Sequence, residues 1–359
     1  MANAASAEQE LATAEQCDAR GDHDGAVNAL SRATRLGDVE ATTRLGKRLL
    51  VGDNAPLLPA QGASLLTDAV KAGGAEAPAR LAVLAAAGAY LEQNLPGALQ
   101  LTVMAAERGW RPSQQQLCAL TPDRTIVPEL PDSGAGEADW QHLAGTIDLS
   151  YWTSAPPRQT LCEAPLICAF DEFLPAPICT WLIERSAGRL TRALVYDAVE
   201  GQDYASEVRT NSWAQFDLIG SELIHLLVQR RMEAACRVPL CNMEANAILH
   251  YAVGEEIRDH FDFVDPNLPN YRQEIDKNGQ RVLTFLVYLN DDYDGGETAF
   301  PRLGIVHKGR RGEGLFFVNA LPNNDADLRT IHAGRPTVRG EKWVISQFVR
   351  SRRVLAVVQ

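Results

Sequence analysis

The first 120 residues place apolar side chains at the spacing of an α-helix. Alanine and leucine recur every three or four residues between charged or small residues, and runs of β-branched residues are almost absent. This period puts the apolar side chains on one face of a helix, where they can pack against a neighbouring helix. The pattern therefore predicts an array of amphipathic helices over residues 1–120.

An internal repeat organises these helices. The segment GDVEATTRL (Gly37–Leu45) reappears as GAEAPARL (Gly74–Leu81), and a weaker third copy includes Leu117. The matching residues lie 36 positions apart: Glu40, Ala41, Arg44 and Leu45 correspond to Glu76, Ala77, Arg80 and Leu81. Similar Ala/Leu stretches start with glycine–alanine pairs at Gly25, Gly62 and Gly97. A period near 36 with two helices per unit resembles the tetratricopeptide class of helical hairpin repeats, with a plain helical bundle as the alternative. Such arrays commonly bind proteins, so we expect a protein partner or a dimer contact here.

The character of the chain changes twice after the helical part. Six prolines lie between residues 121 and 165, together with the loop-like stretch DSGAGE, and they exclude a long helix. We therefore interpret residues 121–165 as a linker. From residue 166 onward, short apolar runs are separated by turn residues, which predicts a β-sandwich, jelly roll or barrel. The predicted elements are helices at Ala176–Ala187 and Ser221–Cys236, an Asn278-Gly279 turn, and strands at Ala247–Val253, Arg281–Leu289, Gly314–Asn319 and Lys342–Arg350.

Charge and composition narrow the class of protein. The formal net charge of the 359-residue chain is −12, whereas a nucleic-acid-binding protein normally has a basic face, so we expect no nucleic-acid partner. The chain has no apolar run of about 18 residues, and its first residues lack the features of a secretory signal. The seven cysteines form no C-x-x-C pair, which argues against a zinc ribbon. We expect a cytoplasmic protein without a membrane anchor.

The strand-rich part contains residues that could bind a metal ion. His260 and Asp262 are two positions apart, so on a strand they would face the same side. His332 lies 72 residues after His260, and a folded sheet could bring it back as a third ligand. Two histidines and one carboxylate form the facial triad of non-haem Fe(II) oxygenases. His250 and His307 are not expected to be ligands.

Three further residues could bind a small dicarboxylate beside such a metal. Lys342 starts a predicted strand ten residues after His332 and could reach inward as a point charge. Tyr251 ends the strand that precedes His260. Thr284 shares a strand face with Leu286 and Tyr288, and from that face it could hydrogen-bond a ligand.

Taken together, residues 166–353 resemble the catalytic domain of the prolyl 4-hydroxylases, which are Fe(II)- and 2-oxoglutarate-dependent dioxygenases. The resemblance rests on five segments in order: FDEFLPAPICTWLIE, RTNSWAQF, YAVGEEIRDHFDF, LVYLNDDYDGGETAFP and IHAGRPTVRGEKWVISQFVR. It implies an α+β chain, in which the helical repeat array precedes a double-stranded β-helix (jelly-roll) oxygenase domain over residues 166–359. It also implies Fe(II) bound by His260, Asp262 and His332, and 2-oxoglutarate bound by Lys342 with Tyr251 and Thr284.

The same resemblance implies a reaction. With O2 as co-substrate and ascorbate as reductant, an unactivated C–H bond would be hydroxylated, with release of succinate and CO2. Because Asp262 occupies the carboxylate position, hydroxylation is favoured over halogenation. The substrate would be a prolyl residue of a peptide or protein, a free amino acid or another small metabolite. The repeat array favours a peptide or protein, because helical solenoids commonly bind extended chains.

Two departures from the family's pattern leave the prolyl preference open. Ile257 stands where many relatives have a tyrosine, and Phe348 stands where they often have a tryptophan. Phe348, Arg209 and Tyr288 are the candidate substrate-pocket residues. An alternative function is a helical-repeat interaction scaffold whose oxygenase domain has lost turnover. Repair of alkylated nucleic acid is disfavoured by the acidic charge.

Overall fold

The computed structural model describes residues 2–130, 138–197, 202–204 and 207–354. The chain divides into two compact units. The first comprises the residues up to Leu149 together with Leu218–Leu226, and the second comprises Ser150–Asp217 and the residues from Leu227 onward. The loop predicted at DSGAGE (132–137) lies outside the described residues.

The first unit is a succession of helices with a regular repeat. Helices α2, α4 and α6 begin at intervals of 36 residues, at His23, Pro59 and Leu95, which confirms the predicted helical array. Each of these helices packs extensively against the helix just before or just after it in the chain. The helices are α1 (Ala2–Ala19), α2 (His23–Arg35), α3 (Val39–Val51), α4 (Pro59–Lys71), α5 (Glu76–Ala87), α6 (Leu95–Glu107), α7 (Arg111–Leu120) and α8 (Trp140–Gly145).

Small residues allow two of these helices to approach closely. A Cβ atom added to Gly62 in α4 would lie 2.7 Å from the carbonyl oxygen of Gly46 in α3 and 2.7 Å from the backbone nitrogen of Leu50. No side chain fits at such a distance. Gly62, which belongs to one of the repeated glycine–alanine pairs, is therefore required by the close packing of α4 against α3.

A buried ion pair holds a second chain segment within the first unit. The Nη2 atom of Arg80 donates to Glu222 Oε1 at 2.7 Å, and its Nη1 donates to the Ser221 carbonyl oxygen at 2.9 Å. The other carboxylate oxygen of Glu222 accepts from Gln116 Nε2 at 3.0 Å. Arg44, the counterpart of Arg80 in the preceding repeat, instead pairs with exposed Glu15. One position of the repeat thus has two different roles.

The second unit is built mainly of antiparallel strands. Its major sheet has the strand order β1-β2-β13-β9-β16-β7-β6-β3, and its minor sheet has the order β12-β11-β14-β8. The strands are β1 (Gln159–Glu163), β2 (Leu166–Phe170), β3 (Thr191–Arg192), β4 (Val195–Asp197), β5 (Gln202–Tyr204), β6 (Ser212–Phe216), β7 (Asn246–Tyr251), β8 (Ile257–His260), β9 (Arg281–Tyr288), β10 (Asp294–Gly295), β11 (Thr298–Phe300), β12 (Ile305–His307), β13 (Gly314–Val318), β14 (His332–Gly334), β15 (Thr337–Arg339) and β16 (Lys342–Arg350). The remaining helices are α9 (Leu149–Trp152), α10 (Ala176–Ala187), α11 (Leu223–Cys236) and α12 (Pro269–Asn278).

The core of the second unit lies between its two main sheets. Phe300 of the minor sheet packs in one buried cluster with side chains of the major sheet, among them Leu249, Leu315, Phe317 and Val344. Apolar burial between two antiparallel sheets is the arrangement that the jelly-roll prediction requires. The predicted fold class, a helical array followed by an antiparallel jelly-roll domain, is confirmed.

The long elements agree with the sequence prediction, and the short ones were missed. Helix α10 and strand β16 have the predicted limits, and α11 begins two residues later than predicted. The predicted Asn278-Gly279 turn is instead the end of a helix. Asn278 is the last residue of α12, which was not predicted, and Gly279 (φ 77°) ends this helix. No helix in the described part of the chain has both the length and the apolar character needed to cross a bilayer.

Candidate active site

The minor sheet brings the two predicted histidine ligands together. His260 ends β8 and His332 begins β14, and the two residues are direct partners in the antiparallel pair. Their ring centres are 4.2 Å apart. Asp262 follows β8 by two residues and is buried, as is His332, whereas His260 is partly exposed. A separation of 72 residues along the chain is thus closed by one strand pairing.

The side-chain atoms of these three residues converge. One ligand atom from each of His260, Asp262 and His332 lies within 4.8 Å of the others, and this is the one such group of three among the residues that the structure describes. Asp262 Oδ1 is 3.4 Å from His260 Nε2, and Asp262 Oδ2 is 3.4 Å from His332 Nε2. The donors therefore face a common point.

Hydrogen bonds prepare these residues to bind a cation. His260 Nδ1 lies 2.8 Å from the Arg258 carbonyl oxygen, and His332 Nδ1 lies 3.0 Å from that of Thr330. An Nδ1–H that donates to a carbonyl leaves the Nε2 lone pair free for a metal. Burial opposes ionisation of Asp262, but His332 and His260 outweigh it and hold the pKa of this carboxyl well below its usual value. Two imidazole nitrogens and a carboxylate oxygen are a ligand set that fits Fe(II).

A buried lysine lies on the major sheet of the same unit. Lys342 begins β16 and is the cross-strand partner of Tyr251, the last residue of β7. Its Nζ donates to the Gly296 carbonyl oxygen at 2.8 Å and lies 5.0 Å from the centre of the Tyr251 ring. Gly296 has a φ of 67°, and an added Cβ would lie 3.2 Å from the Lys342 chain, so glycine suits this position.

The ammonium group of Lys342 forms no direct ion pair in the part of the chain that the structure describes, and Glu297 acts on it only at longer range. No Asp or Glu of the described chain forms an ion pair with Lys342, although the side chain is only 3% exposed. Burial lowers the pKa of Lys342 to about 8. Burial also raises the pKa of Tyr251 above its ordinary value, so its hydroxyl keeps its proton and can donate. A lone buried ammonium beside a phenol is a site for a ligand carboxylate.

One cavity of about 590 Å³ connects these groups. Its wall includes His260, Asp262 and His332 together with Lys342 and Tyr251. Apolar and aromatic side chains form much of the remaining wall: Trp213, Leu249, Phe261, Phe263, Leu286, Val344 and Phe348. The volume suits a small dicarboxylate together with part of a second molecule.

The predicted pocket residue Arg209 lies in this wall, and it forms no ion pair with the residues that the structure describes. Its Nε donates to Asn211 Oδ1 at 3.1 Å, and its guanidinium lies 5.4 Å from the centre of the Trp213 ring. No Nη atom of Arg209 has a hydrogen-bond partner in the described chain. Burial lowers the pKa of Arg209, so this cation is partly desolvated. It can hold a carboxylate or a carbonyl oxygen from the cavity.

The cavity-lining Arg281, by contrast, is neutralised. Its Nε and Nη2 donate to the two oxygens of Glu244 at 2.7 and 2.9 Å. Glu244 also accepts from Arg350, which contacts Glu274 on α12 as well. The Arg281 guanidinium stacks on Phe348, 3.8 Å from the ring centre. Phe348 thus lines the cavity, as predicted, and a charge network fixes the wall behind it.

Two predicted site residues are not on the cavity wall. Tyr288 was predicted for the substrate pocket, but it is fully buried, and its hydroxyl lies 2.8 Å from the Oγ1 of Thr298, which does line the cavity. Thr284 was predicted to bind 2-oxoglutarate, but its hydroxyl donates to Asp262 Oδ2 at 2.7 Å. Both residues have the predicted strand face. Their polar atoms are bound to other protein groups.

Sequence reasoning also missed residues that shape the site. Asn319 donates from Nδ2 to Thr284 Oγ1 at 2.8 Å and is completely buried. Asn319 directly follows the apolar strand GLFFV, and this position could have indicated that its side chain is buried. Glu244 gave no such signal, because a lone glutamate before a strand is usually exposed. His250 and His307 lie elsewhere, paired with Glu341 and Glu313.

Comparison with known proteins identifies the family. Residues 247–350 match the profile of the 2OG-Fe(II) oxygenase superfamily. The chain is 30% identical over 214 residues to "Probable prolyl 4-hydroxylase 9" of Arabidopsis thaliana, and the match covers 55% of this chain and 72% of that relative. The chain belongs to the 2OG-Fe(II) oxygenase superfamily. Its predicted enzyme class, a dioxygenase, and the predicted use of Fe(II), 2-oxoglutarate and O2 are those of the superfamily.

Two other similar proteins carry related names. "Probable prolyl 4-hydroxylase 7" of Arabidopsis thaliana is 29% identical over 213 residues, which is 54% of this chain and 66% of that relative, slightly less than two thirds of its length. Among solved structures, the viral collagen prolyl hydroxylase vCPH from Paramecium Bursaria Chlorella virus-1, in its 2OG complex, is 25% identical. That match covers 54% of this chain and 99% of the viral chain, with a TM-score of 0.41.

Proposed function

We propose that this oxygenase hydroxylates a C–H bond of a prolyl residue or of an amino-acid-like substrate. His260, Asp262 and His332 would hold Fe(II), and Lys342 with Tyr251 would hold the distal carboxylate of 2-oxoglutarate. The observation that carries this proposal is one cavity whose wall contains both the three converging donor atoms and a buried lysine that forms no ion pair with any described Asp or Glu. The histidine–aspartate cluster or the buried lysine alone could serve only to stabilise the fold. Together in one cavity they fit Fe(II) and 2-oxoglutarate.

When bound, iron and 2-oxoglutarate convert O2 and a C–H bond into an alcohol, succinate and CO2. The residues of this chain bind, orient and exclude water. Lys342 and Tyr251 would hold one end of the co-substrate, and the His–Asp–His cluster would be available to its other end. Leu286, Val344 and Phe348 surround this region with apolar surface and keep bulk water from it.

The remaining cavity wall supports a substrate that is partly apolar and partly charged. Trp213, Phe261 and Phe263 offer flat apolar surfaces suited to a saturated ring such as that of proline. Arg209, which has no ion-pair partner among the described residues, offers its guanidinium to a carbonyl or carboxylate of the same molecule. The names of the two Arabidopsis thaliana relatives support a prolyl substrate. We also propose that the helical array binds a protein or peptide, because helical solenoids commonly bind extended chains. Such binding would suit a peptide substrate.

The direct test does not require the substrate. Fe(II) and then 2-oxoglutarate are added to the protein without oxygen, and the weak visible charge-transfer band of the bidentate complex is recorded. We expect a band in the wild type, none in His332→Ala and a band at much higher 2-oxoglutarate concentration in Lys342→Ala. His250→Ala is the matched control, because His250 neighbours Tyr251 but pairs with Glu341. Folded wild-type protein that gives no band would overturn the proposal.

A further inference from the structure

Two buried polar side chains form a line behind Asp262. Thr284, in β9, donates its hydroxyl to Asp262 Oδ2 at 2.7 Å. Asn319, directly after β13, donates from Nδ2 to the same Thr284 oxygen at 2.8 Å. Strands β9 and β13 are neighbours in the major sheet, whereas Asp262 follows a strand of the minor sheet. The line therefore connects the major sheet to one member of the His–Asp–His cluster.

The direction of these hydrogen bonds is fixed by the groups themselves. An amide nitrogen only donates, so the Thr284 oxygen accepts from Asn319 and its single proton is directed to Asp262. The opposite amide orientation would place Thr284 between two acceptors with one proton to share, leaving two oxygens in contact. Both side chains are at most 1% exposed, so water cannot replace either bond.

This arrangement restricts how Asp262 can meet a cation. The Thr284 hydroxyl donates to Oδ2 and so fixes the rotation of the Asp262 carboxylate about its side-chain bond. Neither Thr284 nor Asn319 donates to Oδ1. Thr284 is not part of the cavity wall, and its proton is already used. Its contacts thus fit a role toward the carboxylate better than the predicted role toward 2-oxoglutarate.

We infer that Thr284 and Asn319 are positioning residues that orient Asp262 for metal binding, and that Thr284 does not bind 2-oxoglutarate. This inference rests on the proposed function, in which the cluster holds Fe(II). Partners of metal ligands typically change metal affinity about tenfold to hundredfold when they are removed. The effect should appear in metal binding without any co-substrate, where a 2-oxoglutarate ligand would have no influence.

The test measures the affinity for Mn(II), by electron paramagnetic resonance of the free ion, in the absence of 2-oxoglutarate. Thr284→Val removes the hydroxyl at nearly constant volume, and we expect the Mn(II) Kd to rise about tenfold or more. Thr284→Ser keeps the hydroxyl and should stay within about twofold of the wild type. Thr337→Val is the matched control, because the Thr337 hydroxyl is buried without a hydrogen-bond partner.

A second variant tests the line rather than the single residue. Asn319→Leu removes the donor that fixes the direction of the Thr284 proton, and it should raise the Mn(II) Kd about threefold to tenfold. In the double variant with Thr284→Val, the leucine should add little, because Asn319 acts through the hydroxyl. A purely structural role of Asn319 would give two independent losses instead.

The outcomes separate this inference from the proposed function. A wild type that binds no Mn(II) overturns both. A wild type that binds Mn(II), with an unchanged Kd in Thr284→Val and a weakened affinity for 2-oxoglutarate, overturns only the inference and restores the predicted co-substrate role. Additive losses in the double variant overturn the part that concerns Asn319. If Thr284→Val unfolds, the Asn319→Leu and Thr284→Ser affinities decide on their own.

Discussion

Lys342 should make 2-oxoglutarate binding depend on pH. Burial lowers the pKa of this lysine from 10.5 to about 8, and the nearby charge of Glu297 opposes this only in part. The difference corresponds to about 3 kcal/mol of cost for keeping the ammonium charged in the folded protein. The cost is fully present below the lowered pKa. It is relieved as the pH rises toward the ordinary pKa, so in that window folding stability increases with pH.

A carboxylate placed on Lys342 restores the charged form. 2-Oxoglutarate itself is fully ionised in this range, so the proton that accompanies binding comes from the solvent. With a free pKa of about 8, binding at about pH 8.5 should take up roughly three quarters of a proton. The Kd should rise about tenfold between about pH 7 and about pH 9.

Isothermal titration calorimetry of the Mn(II)-loaded protein without oxygen measures both quantities. Repeating the titration in two buffers of different ionisation enthalpy gives the proton uptake, and a pH series gives the change in Kd. Lys342→Arg is the control, because a guanidinium stays charged throughout, so its Kd and proton uptake should not vary with pH. Wild-type binding with no proton uptake, or equal uptake in Lys342→Arg, would refute the assignment of the carboxylate to Lys342.

Three further predictions concern the cavity wall, its charge network and the helical array. Arg209→Gln should raise the KM of a proline-containing peptide or of free proline about tenfold or more and leave the 2-oxoglutarate Kd unchanged; a lower kcat with constant KM would contradict this. Glu244→Gln should cost about 3 kcal/mol in urea unfolding at neutral pH. Burial would raise the pKa of Glu244, but Arg281 and Arg350 hold this pKa below its usual value. The wild-type free energy of unfolding should therefore fall as acid protonates Glu244, whereas that of Glu244→Gln should lack this contribution to the pH dependence. Gly62→Ala should cost about 1–3 kcal/mol, whereas Gly145→Ala, with open space at its Cβ, should not destabilise; equal stabilities would refute the close helix contact.

The parts of the fold that the sequence predicts are those whose pattern is long. The helical repeat spans three units, and β16 has nine residues, so periodicity and turn residues were sufficient to place them. Strands β8 and β14 have four and three residues, which is too short for a pattern, although they carry both histidines. The ligand cluster was therefore predicted by its residue types and by resemblance, and only the folded sheet shows the pairing of His260 with His332.

The roles of Thr284 and Tyr288 could not be predicted for a different reason. Alternation along β9 gives the face of each side chain correctly, but it does not give the depth of that side chain or the partner that reaches it first. Asp262, the partner of Thr284, follows strand β8 of the minor sheet, and Thr298, the partner of Tyr288, lies in strand β11. Both hydrogen bonds are therefore tertiary contacts. Hydrogen-bond partners separated by 10 or more residues are beyond what a local pattern specifies.

The location of the two halves of the site on different sheets has a mechanical consequence. The histidine pair belongs to the minor sheet, Lys342 and Tyr251 belong to the major sheet, and no strand pair joins these sheets in the described chain. In the proposed complex, one small molecule spans the gap as a removable cross-link. Loss of CO2 shortens that molecule by one carbon, so each turnover would break the link and the next co-substrate would restore it.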